Sequence, residues 1–259
     1  PLAQLGISFI LMIMTWLFSM FHGTNLGLAA RDKAGAPEQA SQVWALCMCW
    51  GCPGAGLVYG RAAMPLALAF FAANITSLVI GLVTLGRFSN TMNTLVLQNP
   101  TLTLASLLAM LKTFLLIANY DLIRVLGSVI KLTALIHAVS LVGLLRENLG
   151  KTTAGYFTRP DDKWLWAMGA GGVGWLCPGC GQVLQGRRGF GFALLAVYIG
   201  AKLAISLMYM ARPIDPHTLS RLDLIPTFIL WAALLEAVVW GFTRKASERD
   251  EQDTETTQK

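Results

Sequence analysis

The segment WGCPGAG at residues 50–56 recurs as WLCPGCG at residues 175–181, and this internal repeat organises the chain. Each copy is followed by a Gly-Arg pair, at residues 60–61 and 186–187, and then by a new long apolar stretch. The shared pattern W-x-C-P-G-x-G, then G-R, then an apolar helix is hard to obtain by chance. We therefore interpret it as a duplicated helical-hairpin unit.

The residue types of this motif predict a bend near the membrane surface. Proline removes a backbone donor and breaks or kinks a helix, while glycine tolerates tight backbone angles and close approach. The arginine that follows can reach a lipid phosphate or a carboxylate while its stem stays in the apolar zone. The predicted turn residues are Pro53, Gly54, Gly56 and Arg61 in the first copy, and Pro178, Gly179, Gly181 and Arg187 in the second.

The two passages CPGAGLVYGR and CPGCGQVLQGR resemble the TM2-type hairpin, in which a P-G-x-G turn joins two apolar helices. The resemblance implies a small membrane hairpin and no common chemistry. The resemblance extends over the two hairpins and does not include the other helices. Two departures stand out: the first copy has its Gly-Arg pair one residue earlier, and neither copy carries the acidic residue often seen near such turns.

The composition places the chain in a membrane. Of 259 residues, 55% are hydrophobic and 13% are charged, and the mean hydropathy is +0.57. Soluble domains carry about 25% charged residues. The formal net charge of +6 comes from short clusters rather than a continuous basic stripe, which excludes a nucleic-acid reader. The expected partners are the lipid bilayer and other membrane protein subunits, with no nucleic acid.

The apolar stretches predict an all-α polytopic bundle of about eight transmembrane helices. A spanning helix needs roughly 20 mostly apolar residues, and isolated strands would leave backbone groups unpaired in lipid. The predicted spans are Leu5–Ala29, Val43–Tyr59, Ala62–Leu85, Thr101–Tyr120, Val125–Leu145, Trp164–Leu184, Gly189–Ala211 and Leu224–Phe242.

These spans divide the chain into four parts. Residues 1–42 hold the first helix and a polar loop, and residues 43–145 hold the first hairpin and two further helices. Residues 146–242 hold the second hairpin and the last helix, and residues 243–259 form a polar tail expected to be disordered. We expect an integral protein of a bacterial inner membrane.

All five cysteines lie in the repeat. Two intervening residues let both sulfurs of a Cys-x-x-Cys pair face one point, so the clustering predicts a thiolate-bound metal or a disulfide. The alternative is that these are small buried packing residues, as free cysteine commonly is. No His or carboxylate accompanies the cluster, which favours packing. The candidates are Cys47, Cys49, Cys52, Cys177 and Cys180.

Four charged side chains fall within predicted spans, where charges are rare enough to be functional candidates. Lys202 and Glu236 lie on consecutive helices at depths that a lysine side chain could bridge. An ion pair between them that holds the last two helices together is favoured over a proton or ion path, because no further carboxylates continue from it. The four are Lys112, Lys131, Lys202 and Glu236.

His137 is the one histidine well inside a predicted helix. A buried imidazole could ligate a haem or a pigment, but a bis-His haem site needs a second ligand at matching depth. A hydrogen-bonded packing residue is the favoured interpretation.

No convergent catalytic set emerges, so we expect a protein that is not an enzyme. The leading hypothesis is an integral membrane subunit that packs against other membrane proteins and helps assemble or stabilise a larger complex. The alternatives are a redox-active or metal-binding protein that uses the cysteines, and a small secondary transporter. The transporter requires the two hairpins to be inverted relative to each other, whereas hairpins that run the same way would be related by an axis along the membrane normal.

Overall fold

The chain folds entirely into helices in the part that the computed structural model describes, which is residues 2–33, 42–60, 64–98, 103–148 and 163–243. No strand occurs in these ranges. The elements are α1 (Leu2–Lys33), α2 (Gln42–Gly51), α3 (Ala55–Tyr59), α4 (Met64–Gln98), α5 (Leu104–Asn119), α6 (Leu122–Asn148), α7 (Lys163–Leu176), α8 (Cys180–Leu184), α9 (Arg188–Ala211), α10 (Pro216–Leu222) and α11 (Leu224–Thr243).

Four stretches in these ranges are long and apolar enough to cross a membrane. They have 20 to 28 residues, and about 20 residues at 1.5 Å each match about 30 Å of hydrocarbon. This confirms the helical membrane class, while the expected total of about eight spans is not confirmed. The apolar helix α5 is shorter, with 16 residues. The four stretches are Met64–Val83, Leu122–Leu141, Arg188–Ala211 and Pro216–Thr243.

The prediction that Val43–Tyr59 and Trp164–Leu184 each form one continuous span is wrong. Each segment breaks at its Cys-Pro-Gly turn into two helices, α2 with α3 and α7 with α8. Gly56 packs against the backbone of Ala45, although a continuous helix would separate residues eleven apart by about 16 Å. The chain therefore folds back on itself at the turn.

The second segment folds back in the same way. Gly181 packs against the backbone of Ala170, again eleven residues earlier. We call residues 42–60 the first hairpin and residues 163–187 the second hairpin. Each hairpin is completed by the long helix that follows it, α4 after the first and α9 after the second.

Helix α6 lies at the centre of the fold. It packs against α2, α3 and α4 of the first half and against α8 and α9 of the second half. Its middle section is buried around most of its circumference, so it joins the two halves into one apolar core. The buried residues of this section are Ala134, Leu135, Ile136, Ala138 and Val139.

Helices α4 and α6 are antiparallel. Phe70, near the beginning of α4, lies 6.5 Å from the ring of His137 near the end of α6. Ser77, further along α4, contacts Gly127 near the beginning of α6, where a Cβ would overlap the serine hydroxyl. Glycine at this position allows the two helices to cross closely.

Helix α9 is also antiparallel to α6 and therefore runs in the same direction as α4. Phe192, near its beginning, lies 5.6 Å from His137. Ser206, near its end, donates a hydrogen bond to the carbonyl oxygen of Tyr120 at 2.9 Å, just before α6 begins. The two hairpins consequently enter the bundle at the same end of α6 and are not inverted.

Candidate functional site

The two Cys-Pro-Gly turns are tightly packed and lie in the interior of the protein. Gly54 has φ 104° and Gly179 has φ 96°, a conformation that side-chain-bearing residues rarely adopt. A Cβ at Gly54 would overlap the carbonyl oxygen of Ala67, and one at Gly179 would overlap that of Gly191. At both turns the backbone of the glycine packs directly against the backbone of the following long helix, so we interpret the turns as packing elements.

The same hydrogen bonds recur in both turns. The backbone N–H of Cys52 donates to the carbonyl oxygen of Met48 at 2.8 Å, and that of Cys177 donates to Val173 at 3.0 Å. Pro53 and Pro178 are both fully buried. Of the predicted motif residues, Arg61 lies outside the described residues.

Two buried cysteines dock the hairpins onto α6. The Cys49 thiol, from the first hairpin, donates to the carbonyl oxygen of Ala134 with an S–O distance of 3.6 Å. The Cys177 thiol, from the second hairpin, donates to that of Leu132 at the same distance. Both thiols therefore act as weak donors at helix contacts, the role expected of packing cysteines.

The other three cysteines have different surroundings. Cys52 is buried, and its thiol donates to the carbonyl oxygen of Leu17 in α1 at 3.4 Å. Cys180 is buried, and its backbone N–H donates to the carbonyl oxygen of Cys177 at 3.0 Å. Cys47 is exposed. All five are free thiols, and within the described ranges no three metal-ligating side chains are grouped closely enough to hold a metal ion.

Thiol counting distinguishes the two interpretations of the cysteines. We expect a maleimide reagent to label about one thiol of the five in the native protein, Cys47, because the other four are buried. After denaturation without reductant it should label all five. A count of three after denaturation, rising to five with reductant, would show a disulfide and favour the redox alternative.

A polar cluster holds the second hairpin against α11. The Arg187 guanidinium forms an ion pair with Glu236, and the Gln182 amide donates to the other carboxylate oxygen at 2.9 Å. The Gln182 amide also donates to the carbonyl oxygen of Ala233 at 2.7 Å. Each of these contacts joins the returning segment of the second hairpin, residues 180–187, to α11.

Gln185 extends this cluster by one turn. Its amide donates to the carbonyl oxygen of Ala237 at 2.6 Å. The Arg187 guanidinium also lies 4.6 Å from the Phe190 ring, within cation–π range. Gln182 and Gln185 are buried, and their side-chain oxygens have no hydrogen-bond partner among the described residues.

The expected ion pair between Lys202 and Glu236 does not form, because Glu236 faces the second hairpin and pairs with Arg187. The Lys202 ammonium lies instead near the rings of Tyr120 and Tyr198. The error has a geometric cause. Matching depth on two helices does not fix which faces they turn toward each other.

Tyr120 is the buried centre of a second polar contact at the other end of α9 and α11. Its hydroxyl donates to Asp223, which lies between α10 and α11. Its backbone carbonyl accepts the Ser206 hydrogen bond described above. This contact ties α5, α9 and α11 together where α6 begins.

Two of the remaining candidates, His137 and Lys131, lie against aromatic rings, and the third, Lys112, is exposed. His137 lies between the rings of Phe70 and Phe192. The Lys131 ammonium lies 4.1 Å from the centroid of the Trp50 ring, and Lys112 is exposed on α5. His137 therefore packs between α4 and α9, and no second histidine contacts it among the described residues.

Asp215 precedes α10 and caps it. Its carboxylate accepts the backbone N–H of His217 at 2.9 Å and that of Thr218 at 3.0 Å. Hydrogen bonds from the Thr218 side chain and backbone hold the pKa of Asp215 below its usual value. This depressed pKa means that the cap stabilises α10 at neutral pH, and the contribution is lost as the pH falls through the folded-state pKa.

One signal in the sequence could have located the second polar contact. The tripeptide Asp-Leu-Ile opens both α6, at residues 121–123, and α11, at residues 223–225. The repeated tripeptide suggests that α6 and α11 correspond to each other, just as the repeated C-P-G-x-G motif suggests that the two hairpins correspond. Gln182 and Gln185 carry no comparable signal, because glutamine is common at exposed positions.

Comparison of the chain with protein-family models, with curated proteins and with solved structures finds no match.

Proposed function

We propose that this protein is an integral membrane subunit that packs against other membrane proteins and stabilises a larger complex. The observation that carries the proposal is the difference between α6 and α11. Helix α6 is covered on two sides, by one hairpin on each. The second hairpin packs against one side of α11, and no described element covers the opposite side.

The buried and exposed residues of α11 form two separate stripes. The buried stripe consists of Pro226, Ala233, Ala237 and Gly241, and the last three of these contact the second hairpin. The exposed stripe consists of large apolar and aromatic side chains at helical spacing, with Phe228 the most exposed at 73%. The exposed stripe is Phe228, Trp231, Leu235 and Val239.

The proposal rests on treating α6 and α11 as equivalent helices in two copies of one unit. Each begins within the same Asp-Leu-Ile tripeptide, and each accepts hydrogen bonds on its backbone from the hairpin before it. The TM2-type hairpin and its duplication are part of this proposal. On α6, the opposite side is occupied by the second hairpin, so we infer that the corresponding side of α11 binds a helix of another subunit.

The interior supports packing over transport. At both turns backbone packs against backbone. The two hairpins run in the same direction, whereas the transporter alternative needs them inverted, so their direction favours packing. The redox alternative retains one supporting observation, the backbone hydrogen bond from Cys180 to Cys177 that keeps these two buried cysteines next to each other in the turn. Thiol counting tests it.

Site-specific photocrosslinking in native membranes tests the proposed subunit contact. A photoreactive phenylalanine analogue replaces Phe228 or Leu235 on α11, and Val197 on α9, exposed at 57%, is the matched control. We expect a discrete protein adduct from the α11 positions and none from Val197, because partner helices pack closely whereas lipid contacts yield only lipid adducts.

The mass of the adduct identifies the occupant. An adduct heavier than the chain by the mass of a different polypeptide supports the proposal. A doubled mass would place a second copy of this chain on α11 instead. Lipid adducts alone at all three positions would contradict the proposal and leave α11 facing the bilayer.

A further inference from the structure

Lys131 places a cationic side chain at the middle of a spanning helix. It is the tenth residue of the 20-residue stretch Leu122–Leu141. At about 1.5 Å per residue it lies about 14 Å from the beginning of the stretch, which is close to half of the roughly 30 Å of hydrocarbon. Lysine side chains reach the polar boundary from the ends of membrane helices. The Lys131 ammonium therefore needs a partner at the midplane itself.

The contacts of Lys131 within the chain supply only part of that partner. Its Nζ atom lies 4.1 Å from the centroid of the Trp50 ring, at the end of α2. The face of the ring attracts the cation, but it offers no oxygen acceptor to the three ammonium N–H donors. Within the described ranges no carboxylate forms an ion pair with Lys131. The indole ring thus holds the ammonium in place without neutralising it.

The carboxylates of the chain do not match this ammonium. The four spanning stretches contain two of them, Asp223 and Glu236, and every other Asp and Glu of the sequence lies outside these stretches. Glu236 pairs with Arg187. Asp223 accepts the Tyr120 hydroxyl hydrogen bond at the end of the bundle where α6 begins. A midplane carboxylate for Lys131 is therefore expected from another polypeptide.

The surface beside Lys131 is exposed and aromatic. Trp44, Cys47 and Trp50 recur every three residues on α2 and share one face of the helix. Trp44 is 61% exposed and Trp50 is 42% exposed, and Cys47 is exposed as well. Lipid tails or another helix would cover this face equally well by apolar contact. The ammonium distinguishes the two, because a helix can bring a carboxylate and lipid tails cannot.

The second unit shows that hairpin packing does not itself require a cation here. Ala233 corresponds to Lys131, since each lies ten residues after the Asp of the Asp-Leu-Ile tripeptide, from 121 to 131 and from 223 to 233. Ala233 is fully buried, and its carbonyl oxygen accepts the Gln182 amide hydrogen bond. A small apolar residue thus suffices where a hairpin packs on the helix, so the lysine indicates a further contact.

We propose that Lys131 and the exposed face of α2 bind a spanning helix of another polypeptide that carries an Asp or Glu at the bilayer midplane. The partner carboxylate accepts the ammonium N–H donors and neutralises the charge, while the Trp50 ring orients the ammonium. The apolar remainder of the partner helix covers the two tryptophans. The inference rests on the proposed function and adds a second contact, on a face separate from α11.

A membrane-permeant carbodiimide tests the contact by making it covalent. Dicyclohexylcarbodiimide activates a carboxylate, and a neighbouring lysine amine then displaces the urea. The products are an amide bond and dicyclohexylurea, which takes up the water lost by the two groups. Native membranes that contain the full chain are treated, and cross-linked peptides are identified by mass spectrometry. We expect an amide bond between Lys131 and an Asp or Glu inside an apolar stretch of another polypeptide.

Three variants separate the charge from the other features of the surface. Lys131→Arg keeps the cation but supplies no amine, so it should retain the cross-linked partner on native electrophoresis while the amide signal falls at least about tenfold. Lys131→Met removes the cation and should reduce the co-migrating partner about tenfold. Lys112→Met is the matched control, since Lys112 is an exposed lysine on the apolar helix α5, and it should leave the partner unchanged.

Several results would overturn the proposal. A wild type that forms no amide bond at Lys131 would leave the ammonium without a partner carboxylate, and this result stands even if Lys131→Met does not fold. An amide bond to a carboxylate of this chain, in the same or a second copy, would replace the proposed occupant. Full retention of the partner by Lys131→Met would remove the charge from the contact. Photocrosslinked protein adducts on α11 without a Lys131 cross-link would retain the proposed function and remove this second contact.

Discussion

Replacing Gly179 by alanine is expected to destabilise the protein by about 4 kcal/mol, because two costs add at this position. The backbone conformation at φ 96° is strained for any residue with a Cβ, and the new methyl group would overlap the carbonyl oxygen of Gly191. Neither cost can be relieved by a side-chain rotation, since the overlapping atom belongs to the backbone. A loss of this size is a large fraction of the usual 5–15 kcal/mol of folding stability.

Gly172→Ala is the matched control for this prediction. It introduces the same methyl group in the preceding helix α7, where nothing lies within 4 Å of the new Cβ. Its expected effect is between zero and a gain of about 1 kcal/mol, since alanine favours the helix. Thermal unfolding in detergent and the yield of monodisperse protein measure both variants. Similar melting temperatures for Gly179→Ala and Gly172→Ala would show that the turn at Gly179 does not pack tightly against Gly191.

Glu236→Ala is expected to cost about 2 kcal/mol, the second large effect. It removes the carboxylate that pairs with Arg187 and that accepts the Gln182 amide. The two ion-pair side chains are 24% and 33% exposed, so water compensates part of the loss and the value lies below that of a fully buried pair.

Adding Gln182→Leu to Glu236→Ala should recover the part of that loss that comes from the Gln182 hydrogen bond, while the loss from the unpaired Arg187 remains. Removing both partners of a buried hydrogen bond is less costly than removing one. The first hairpin also shows that this arrangement can pack without polar groups, because Leu57 occupies the position that corresponds to Gln182 and is fully buried. If the double variant loses more stability than the two single variants lose together, the result would argue against the equivalence of the hairpins. Thermal unfolding of the four proteins in one detergent measures this cycle.

The class of fold and the places where the chain bends could be predicted from the sequence. Apolar composition determines the helical membrane class, and the Cys-Pro-Gly motif marks both turns. Whether an apolar segment crosses or folds back was not predictable from its composition, because both outcomes bury the same side chains. The deciding feature is the contact of Gly56 and Gly181 with backbone that lies eleven residues earlier.

The candidate site was only partly predictable. Arg187 was expected to reach either a phosphate or a carboxylate, and it reaches the carboxylate of Glu236. Lys202 was assigned the wrong partner, because Glu236 faces the second hairpin and pairs with Arg187. The Tyr120–Asp223 contact joins residues about a hundred positions apart and had no local signal beyond the repeated Asp-Leu-Ile.

Side-specific labelling tests most directly whether the chain folds back at the Cys-Pro-Gly turns. Single cysteines replace Trp44, Met64 or His217, which are exposed, in a Cys47→Ser background whose other cysteines are buried. Each variant is labelled in sealed vesicles of known orientation with a membrane-impermeant maleimide. If the first hairpin returns to its starting side, positions 44 and 64 are labelled from one side and position 217 from the other. Labelling of positions 44 and 64 from opposite sides would contradict this account.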